Sequence, residues 1–443
     1  MVCGCLAFVL LVHELHVQAQ SGFISIDCGI PEDSYYKDKN TTISYTSDAA
    51  YTDAGTNYNI SSEYYKSGPP VLSDLRSFHQ GIRNCYTLPQ DKGNKCLIRA
   101  TFMYGNYDSK NQPPQFALYL DGVQWHTVRF NDASHFVRVE IIHNVPATTA
   151  YIHVCLVDTG DGTPFISALE LRQLNNSMYQ TQSGSLKRIS RLDFGLTADK
   201  IVRYSADVYD RIWIPDNPLS SWETVRASSY RNTDALSANE YKPPYQVMAT
   251  AVRPVNGSNS LDFRVEVDYP KLYNVYMHFA EIGTAEQERE LDIYINDVPW
   301  ALGVATDFSR PVTVNGTYSL SADSLNFCIR ATSQSTLPPI LNALEIYELR
   351  LSGISNRHRG WRGTGKEIHV SQKSTHGKTF NATMMEISLE SFPCENLSSS
   401  SLSGNMDFSF SGLTSLESLD LSNNNLTGPV PDFLSELPSL KTL

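Results

Sequence analysis

A repeat separated by a constant 175 residues is the feature that most constrains how this chain can fold. Residues 121–125 (DGVQW) recur as residues 296–300 (NDVPW), and residues 164–171 (PFISALEL) recur as residues 339–346 (PILNALEI). Two separated landmarks that share one offset are hard to obtain by chance. The sequence therefore predicts two homologous modules in tandem.

The starts of the two modules also correspond, although at a different spacing. Residues 26–29 (IDCG) match residues 192–195 (LDFG). We therefore place the first module at residues 22–175 and the second at residues 189–352. The polar segment 176–188 is expected to link them.

Both modules are predicted to be built from β-strands. Residues 115–120 (QFALYL) and 290–295 (ELDIYI) alternate with period two and are rich in aromatic and branched side chains, which is typical of strands. The landmarks at 121–122 (DG) and 296–297 (ND) indicate tight turns, where Gly and Asn tolerate positive φ. Neither module shows a long helical period. The predicted fold class is all-β, with two tandem β-sandwich modules whose connections are jelly-roll-like.

The N-terminus and the sequons indicate a secreted chain. Residues 5–12 (CLAFVLLV) form an apolar run too short to span a bilayer, so residues 1–20 are predicted to be a signal peptide. Glycosylation is expected at the Asn of each N-x-S/T triplet. The eight sequons are headed by Asn40, Asn59, Asn175, Asn256, Asn315, Asn381, Asn396 and Asn425.

The cysteines outside the signal peptide number six, which suggests disulfides in an oxidising compartment without fixing their connectivity. Cys155 and Cys328 lie in apolar strand-like runs, so a buried free thiol remains the alternative for each. No cysteine or histidine cluster has the spacing of a zinc site, and no cofactor is predicted.

The composition narrows the classes of partner. The formal net charge is −12 without long runs of Lys or Arg, which argues against nucleic acid and anionic membrane surfaces. Aromatic residues reach 11%, a share that suits strands and contact surfaces for sugars or proteins.

The C-terminal part changes to a leucine-rich pattern. Residues 413–437 (LTSLESLDLSNNNLTGPVPDFLSEL) carry LxxLxLxxNxL, and Leu397 and Leu402 are matched 24 positions later by Leu421 and Leu426. This is the pattern of a leucine-rich repeat, in which the leucines fill the core of a solenoid. Residues 381–443 are therefore predicted to begin such a solenoid, after a polar connector at residues 353–380.

Together these motifs resemble the plant malectin-like leucine-rich-repeat receptor-like kinases. The resemblance is carried by residues 22–29 (GFISIDCG), 83–88 (RNCYTL), 163–171 (TPFISALEL) and 419–431 (LDLSNNNLTGPVP). It implies an ectodomain at the outer face of the plasma membrane. In the family, a transmembrane helix and a cytoplasmic Ser/Thr kinase follow; we expect this chain to end before both. One departure is residues 361–366 (WRGTGK), where the family carries W-x-G-D-P-C.

The resemblance also implies the function. The expected role is recognition of cell-wall carbohydrate or a secreted peptide, with a possible co-receptor and no catalysis in this chain. A carbohydrate-active enzyme and a truncated, non-signalling decoy are the alternatives. Loops that correspond to the sugar-binding loops of malectin contain the candidate ligand-binding residues Tyr51, Tyr104, Tyr107 and Asp108 in the first module and Phe279 and Glu281 in the second.

Overall fold

The structure is a computed structural model that divides the chain into two compact units, residues 1–352 and 353–443. In the first unit it describes residues 20, 22–65, 68–181, 184–195, 201–216, 219–227, 239–255, 258–268, 271–282, 289–307, 310–319 and 324–350. In the second it describes residues 370–371, 386–387, 394–396, 403–404, 418–422, 425–426 and 434. The predicted signal peptide, apart from Gln20, and most of the predicted connector lie outside the described residues.

The described residues of the first module form thirteen strands and a 3-10 turn at Pro70–Leu72. The strands are β1 (Phe23–Asp27), β2 (Tyr35–Lys37), β3 (Ser44–Ser47), β4 (Thr56–Asn59), β5 (Asp74–Ser77), β6 (Arg83–Pro89), β7 (Lys95–Met103), β8 (Gln115–Leu120), β9 (Val123–Val128), β10 (Phe136–Asn144), β11 (Tyr151–Asp161), β12 (Phe165–Ile166) and β13 (Ala168–Leu174).

The second module has eleven strands and one short helix in its described part. The elements are β14 (Ser185–Asp193), β15 (Ile214–Pro215), β16 (Trp222–Arg226), α1 (Tyr245–Met248), β17 (Thr250–Pro254), β18 (Ser260–Glu266), β19 (Leu272–Phe279), β20 (Glu290–Ile295), β21 (Val298–Ala305), β22 (Val312–Ser319), β23 (Ser324–Ala331) and β24 (Ala343–Arg350).

The two modules share one topology. Within one large sheet, the order β1-β13-β7-β10 of the first module corresponds to β14-β24-β19-β22 of the second. Each module also has a four-stranded sheet, with the order β6-β11-β8-β9 in the first and β18-β23-β20-β21 in the second. Each module has its own apolar core, formed because alternate residues of each strand point inward: in β11, Ile152, Val154 and Leu156 are fully buried. The predicted fold class, two tandem β-sandwiches, is confirmed.

The repeated landmarks at positions 121 and 296 are hairpin turns. Asp121 and Gly122 have φ values of 45° and 88°, and Asn296 and Asp297 have φ values of 49° and 63°. Two successive residues with positive φ make the turn whose twist matches the flanking strands. The turns connect β8 to β9 and β20 to β21, so the same motif builds the same hairpin twice.

The repeated Asp-x-Gly motif at the end of β1 and β14 is explained by close packing. The Gly195 N–H donates to Asp193 Oδ1 at 3.1 Å, and the Gly29 N–H donates to Asp27 Oδ1 at 3.4 Å. A Cβ on Gly195 would overlap Thr250 and the backbone of the neighbouring strand β17. Only glycine fits between these strands.

Gly195→Ala is therefore expected to destabilise the protein by about 2 kcal/mol, because the added methyl group must displace backbone rather than a flexible side chain. Urea unfolding of the whole chain measures the effect. Gly93→Ala is the control: its Cβ meets nothing within 4 Å, and its φ of 76° costs about 1 kcal/mol. Equal losses in the two variants would contradict the packing argument.

One eleven-stranded sheet runs through both modules. Its two halves join where β10 pairs with β14, with Ile141 opposite Lys187 and Ile142 opposite Leu186. A third apolar cluster lies at this junction and includes Leu97, Ile142, Leu174, Tyr179, Tyr276 and Tyr347. The modules are therefore joined by backbone hydrogen bonds and by shared side-chain packing.

A chain of buried charges crosses one face of this sheet, and we call it the buried ionic row. Successive contacts of 2.7, 3.2, 2.9, 2.7, 2.8, 3.1 and 2.9 Å connect Arg172, Glu170, Arg99, Glu140, Arg191, Glu345, His278 and Thr313 in that order. Every charged member is at most 4% exposed. Within this row, the contact between Glu140 of the first module and Arg191 of the second crosses from one module to the other.

The segment 202–213 of the second module contacts the buried ionic row. Asp210 accepts hydrogen bonds from Arg99 at 3.1 Å, from Arg172 at 2.8 Å and from Arg203 at 2.8 Å. A carboxylate shared by three guanidinium groups keeps its charge although it is fully buried. The pKa of Asp210 is accordingly held well below its usual range: burial raises it, but the three arginines outweigh burial.

A single disulfide joins Cys85 of β6 to Cys155 of β11 among the described residues. The two cysteines lie directly opposite each other in the antiparallel pair. Cys28, Cys96 and Cys328 are buried free thiols. The alternative of a free thiol therefore holds for Cys328 and is wrong for Cys155.

The described part of the second unit has two parallel strand pairs and one antiparallel pair, residues 370–371 with residues 386–387. The strands are β25 (Val370–Ser371), β26 (Glu386–Ile387), β27 (Cys394–Asn396), β28 (Ser403–Gly404), β29 (Ser418–Asp420) and β30 (Asn425–Leu426). β27 pairs in parallel with β29, so that residue 394 lies opposite residue 418, and β28 pairs in parallel with β30. A parallel pair offset by 24 residues is what stacked leucine-rich repeats produce.

Candidate ligand-binding site

A cluster of tyrosines lies at one end of the first module. Tyr58 comes from β4, and Tyr104 and Tyr107 come from the turn that follows β7. Their rings are in mutual contact: the centroids are 5.2 Å apart for Tyr58 and Tyr107 and 5.7 Å apart for Tyr104 and Tyr107. The turn takes this path because residue 105 is a glycine with φ of 47°, packed closely against Ile60.

The accessible part of the cluster is the pair Tyr58 and Tyr107, which we call the tyrosine pair. Both side chains are half-buried. Tyr58 Oη lies 3.1 Å from Nε2 of the exposed His79, and Tyr107 Oη lies 2.8 Å from Ser77 Oγ. Burial raises the pKa of Tyr107 to about 12, so the hydroxyl stays protonated at neutral pH. The pair thus offers two ring faces and hydroxyl groups held in fixed positions.

Tyr104 supports the tyrosine pair through the contact of its ring with that of Tyr107. Its side chain is fully buried, and its hydroxyl donates to Asp108 Oδ1 at 2.6 Å. Asp108 also accepts from the Lys110 N–H at 3.2 Å, and its other oxygen lies 3.5 Å from Lys110 Nζ. Burial and the hydrogen bond to Asp108 raise the pKa of Tyr104. Asp108 is therefore a partly exposed carboxylate at the edge of the cluster.

The structure brings together three of the four residues predicted in the first module: Tyr104, Tyr107 and Asp108. Tyr51 is half-buried and packs against the same core, but among the described contacts no ring or hydrogen bond joins it to the cluster. Its backbone carbonyl accepts from the Thr87 N–H at 3.1 Å.

The two residues predicted in the second module are both buried and already have partners within the protein. The Phe279 ring is fully buried in the second core, so a ligand cannot reach it without displacing that core. Glu281 is 2% exposed and binds Arg289 through two hydrogen bonds of 2.9 and 3.1 Å. The alternation of β19 places Phe279 inward. The site proposed below therefore leaves out both residues.

Sequence reasoning missed Tyr58 and His79. Tyr58 lies two residues before Ile60, the residue that packs closely against Gly105. His79 lies two residues after the end of β5. The pairing of β4 with β5 brings them together, with Tyr58 opposite Leu75. Alternation within residues 56–59 (TNYN) signals a strand, but nothing local indicates that it lies beside the turn after β7.

The sequon asparagines that the structure describes with their side chains are all exposed: Asn40, Asn59, Asn175, Asn315 and Asn425. Asn59 directly follows Tyr58 in β4, and Asn315 lies on β22, an edge strand of the eleven-stranded sheet. Asn256 and Asn381 lie outside the described residues, and for Asn396 only the backbone is described. Glycosylation at these positions stays a prediction.

Two kinds of feature are absent from the described residues: a cluster of metal ligands and a membrane-spanning helix. No group of three or more His, Cys, Asp or Glu side chains in them is arranged to hold a metal ion. No helix in the described part of the chain is long and apolar enough to cross a membrane.

The fold and the motifs agree with comparison to known families. Residues 26–349 match the malectin-like domain, and residues 396–443 match the leucine rich repeat. The first match covers most of the chain, and the chain therefore belongs to the malectin-like family. The predicted resemblance is confirmed.

Curated relatives from Arabidopsis thaliana are receptor-like kinases. A probable LRR receptor-like serine/threonine-protein kinase is 41% identical over 437 residues, which covers 93% of this chain and 50% of the relative. The LRR receptor-like serine/threonine-protein kinase IOS1 is 37% identical over 439 residues, covering 96% of this chain and 46% of the relative. The chain thus spans about half the length of these relatives.

Solved structures share the fold at low sequence identity. The ANX2 ectodomain from Arabidopsis thaliana superposes with a TM-score of 0.64 at 17% identity, covering 74% of this chain and 97% of that one. The plant receptor-like kinase FER, in a crystal structure with the peptide RALF23 and LLG2, gives a TM-score of 0.60 at 16% identity, with 74% and 96% covered. At this identity the likeness shows the fold alone.

Proposed function

We propose that this chain is the extracellular ligand-recognition region of a receptor-like kinase, and that the tyrosine pair contacts the ligand. The single observation that carries the proposal is the pair itself: two half-buried rings, 5.2 Å apart, on a rigid support of buried Tyr104 and Phe165. The proposed role involves no catalysis in this chain. Residues 22–175 and 189–352 are the proposed module boundaries.

The chemistry of the pair suits a peptide. Tyrosine supplies a large apolar surface with a polar end and loses little side-chain entropy on binding, which is why it is enriched at contact surfaces. His79 and Asp108 add a hydrogen-bonding group and a carboxylate at the rim. The structure of FER with the peptide RALF23 and LLG2 supports a secreted peptide as ligand and a second protein as co-receptor.

Tyr58→Ala is expected to weaken peptide binding about tenfold or more, because buried aromatic anchors carry most of the energy of an interface. The measurement is calorimetric titration of the whole chain with a panel of secreted peptides that includes RALF23. A panel of cell-wall oligosaccharides is titrated in parallel and distinguishes a carbohydrate ligand from a peptide.

Tyr151→Ala is the matched control. Tyr151 is 51% exposed on the outer face of β11, where it lines a separate open cavity of about 410 Å³ beside the disulfide. Its replacement should leave binding unchanged. Loss of binding in Tyr151→Ala with full binding in Tyr58→Ala would move the site to that cavity, and no binding by either panel would count against ligand recognition.

A further inference from the structure

Arg138 is an unpaired cation within the charged face of the eleven-stranded sheet. It lies on β10 two residues before Glu140, so both side chains leave the same face of the strand. Its Nε is buried and has no hydrogen-bond partner, and no carboxylate among the described residues forms an ion pair with it. The guanidinium group lies 4.8 Å from the centre of the Phe136 ring.

The buried ionic row and the residues around it carry more positive than negative charge. The arginines of this region are Arg99, Arg138, Arg172, Arg188, Arg191, Arg203 and Arg211. The carboxylates that neutralise them among the described residues are Glu140, Glu170, Asp207, Asp210 and Glu345. Two positive charges therefore remain without a carboxylate.

Arg188 is the second arginine with an unsatisfied donor. It belongs to β14, which pairs with β10, and its buried Nε lacks a hydrogen bond although Glu140 lies 3.5 Å away. Burial and the charges of Arg99, Arg203 and Arg188 lower the pKa of Arg138 to about 10, although the charge of Glu170 opposes them. Mutual repulsion among buried arginines is unfavourable unless an anion compensates it.

We propose that Arg138, together with Arg188, forms a binding site for a carboxylate group. A guanidinium fork presents paired N–H donors that match the two oxygens of a carboxylate. The site is open to solvent because Arg138 is only partly buried and Phe136, at its mouth, is 44% exposed. The site does not depend on the tyrosine pair, so it stands even if the proposed peptide binding fails.

The test is calorimetric titration of the whole chain with acetate at constant ionic strength, with chloride as the balancing salt. Wild-type protein should bind acetate saturably, and Arg138→Gln should bind it about tenfold more weakly or worse, as expected for loss of a charge-assisted hydrogen bond. Arg253→Gln is the control, because Arg253 is an exposed arginine paired with Glu223 and should leave the affinity unchanged.

A thermal measurement separates the site from a structural role. Without added carboxylate, Arg138→Gln should melt at the same temperature as wild type or above it, because it removes an uncompensated charge. A lower melting temperature in chloride would overturn the proposal, since Arg138 would then have a partner in the free protein. Equal acetate affinity in wild type and Arg138→Gln would overturn it as well.

A second ligand identifies the source of the carboxylate. Triglutamate with an amidated C-terminus is titrated beside acetate: tighter binding of triglutamate indicates an acidic peptide segment, and equal binding per carboxylate indicates a free anion. Both must weaken in Arg138→Gln. Arg138→Lys keeps the charge but not the fork, and an unchanged affinity for either ligand in that variant would contradict the geometry.

Discussion

Replacing Glu140 by Gln is expected to lower the free energy of unfolding by about 3–5 kcal/mol, the cost of breaking a buried pair on one side. Glu140 binds Arg99 at 2.9 Å and Arg191 at 2.7 Å, and it is 1% exposed. Glutamine has nearly the same shape but no charge, so both arginines would lose their shared anion. Urea unfolding, monitored by fluorescence, measures the difference.

Glu223→Gln is the control for this prediction. Glu223 forms an ion pair with Arg253, and both side chains are more than 40% exposed. Exposed pairs contribute at most about 1 kcal/mol, so the control should remain close to wild type. If Glu140→Gln lost no more stability than Glu223→Gln, the buried ionic row would not hold the modules together.

Stability is expected to fall as the pH rises from about 4 to about 8, on the order of several kcal/mol. The cause is Asp27: burial, together with the hydrogen bond and charge of the adjacent Asp74, raises its pKa from 3.8 to about 8. The folded protein keeps the proton over this range, whereas the unfolded chain releases it above pH 4. Unfolding therefore becomes more favourable with rising pH until the folded state also loses the proton.

Asp27→Asn should remove this dependence, because an amide resembles the protonated acid and can still donate to Asp74. The variant should match wild type near pH 4 and exceed it at pH 8 in urea unfolding. Asp53→Asn, which changes an exposed carboxylate, should keep the wild-type slope. Parallel pH profiles for wild type and Asp27→Asn would refute the claim that Asp27 keeps its proton in the folded protein.

The opposite trend is expected below pH 4. Burial raises the pKa of Glu140, but Arg191 and Arg99 outweigh it and lower the value to about 2; Arg99 and Arg172 do the same for Glu170. These carboxylates stabilise the folded state above the pKa of the unfolded chain, and the contribution disappears as the pH falls through about 2. The stability maximum should lie in the weakly acidic range.

The sequence predicted the fold through its repeat but did not reveal the buried charges. Glu170 and Glu345 occupy the same position in the repeated landmark, and each is nearly or fully buried. Within a strand, an alternating Glu normally indicates the solvent face, so residues 168–172 (ALELR) suggest an exposed row. The face is covered because segment 202–213 packs on it, and that contact joins residues far apart in the chain.

The sequence indicated residues of the candidate site only where they lie close together in the chain. Tyr104, Tyr107 and Asp108 lie within one turn, so the resemblance to the loops of malectin named all three together. Tyr58 and His79 join them through the pairing of β4 with β5, which sequence patterns do not specify. Phe279 shows the converse: its position matches a loop motif, but it ends the strand β19 with its ring in the core.

The shared eleven-stranded sheet limits how the two modules can move relative to each other. A hinge between modules would have to break the hydrogen bonds between β10 and β14 and separate Glu140 from Arg191. Both changes cost far more than a single loop contact supplies. Under the proposed function, we therefore expect ligand binding to be communicated by recruitment: the ligand and this chain together offer a composite surface to another protein, while the two modules keep their relative position.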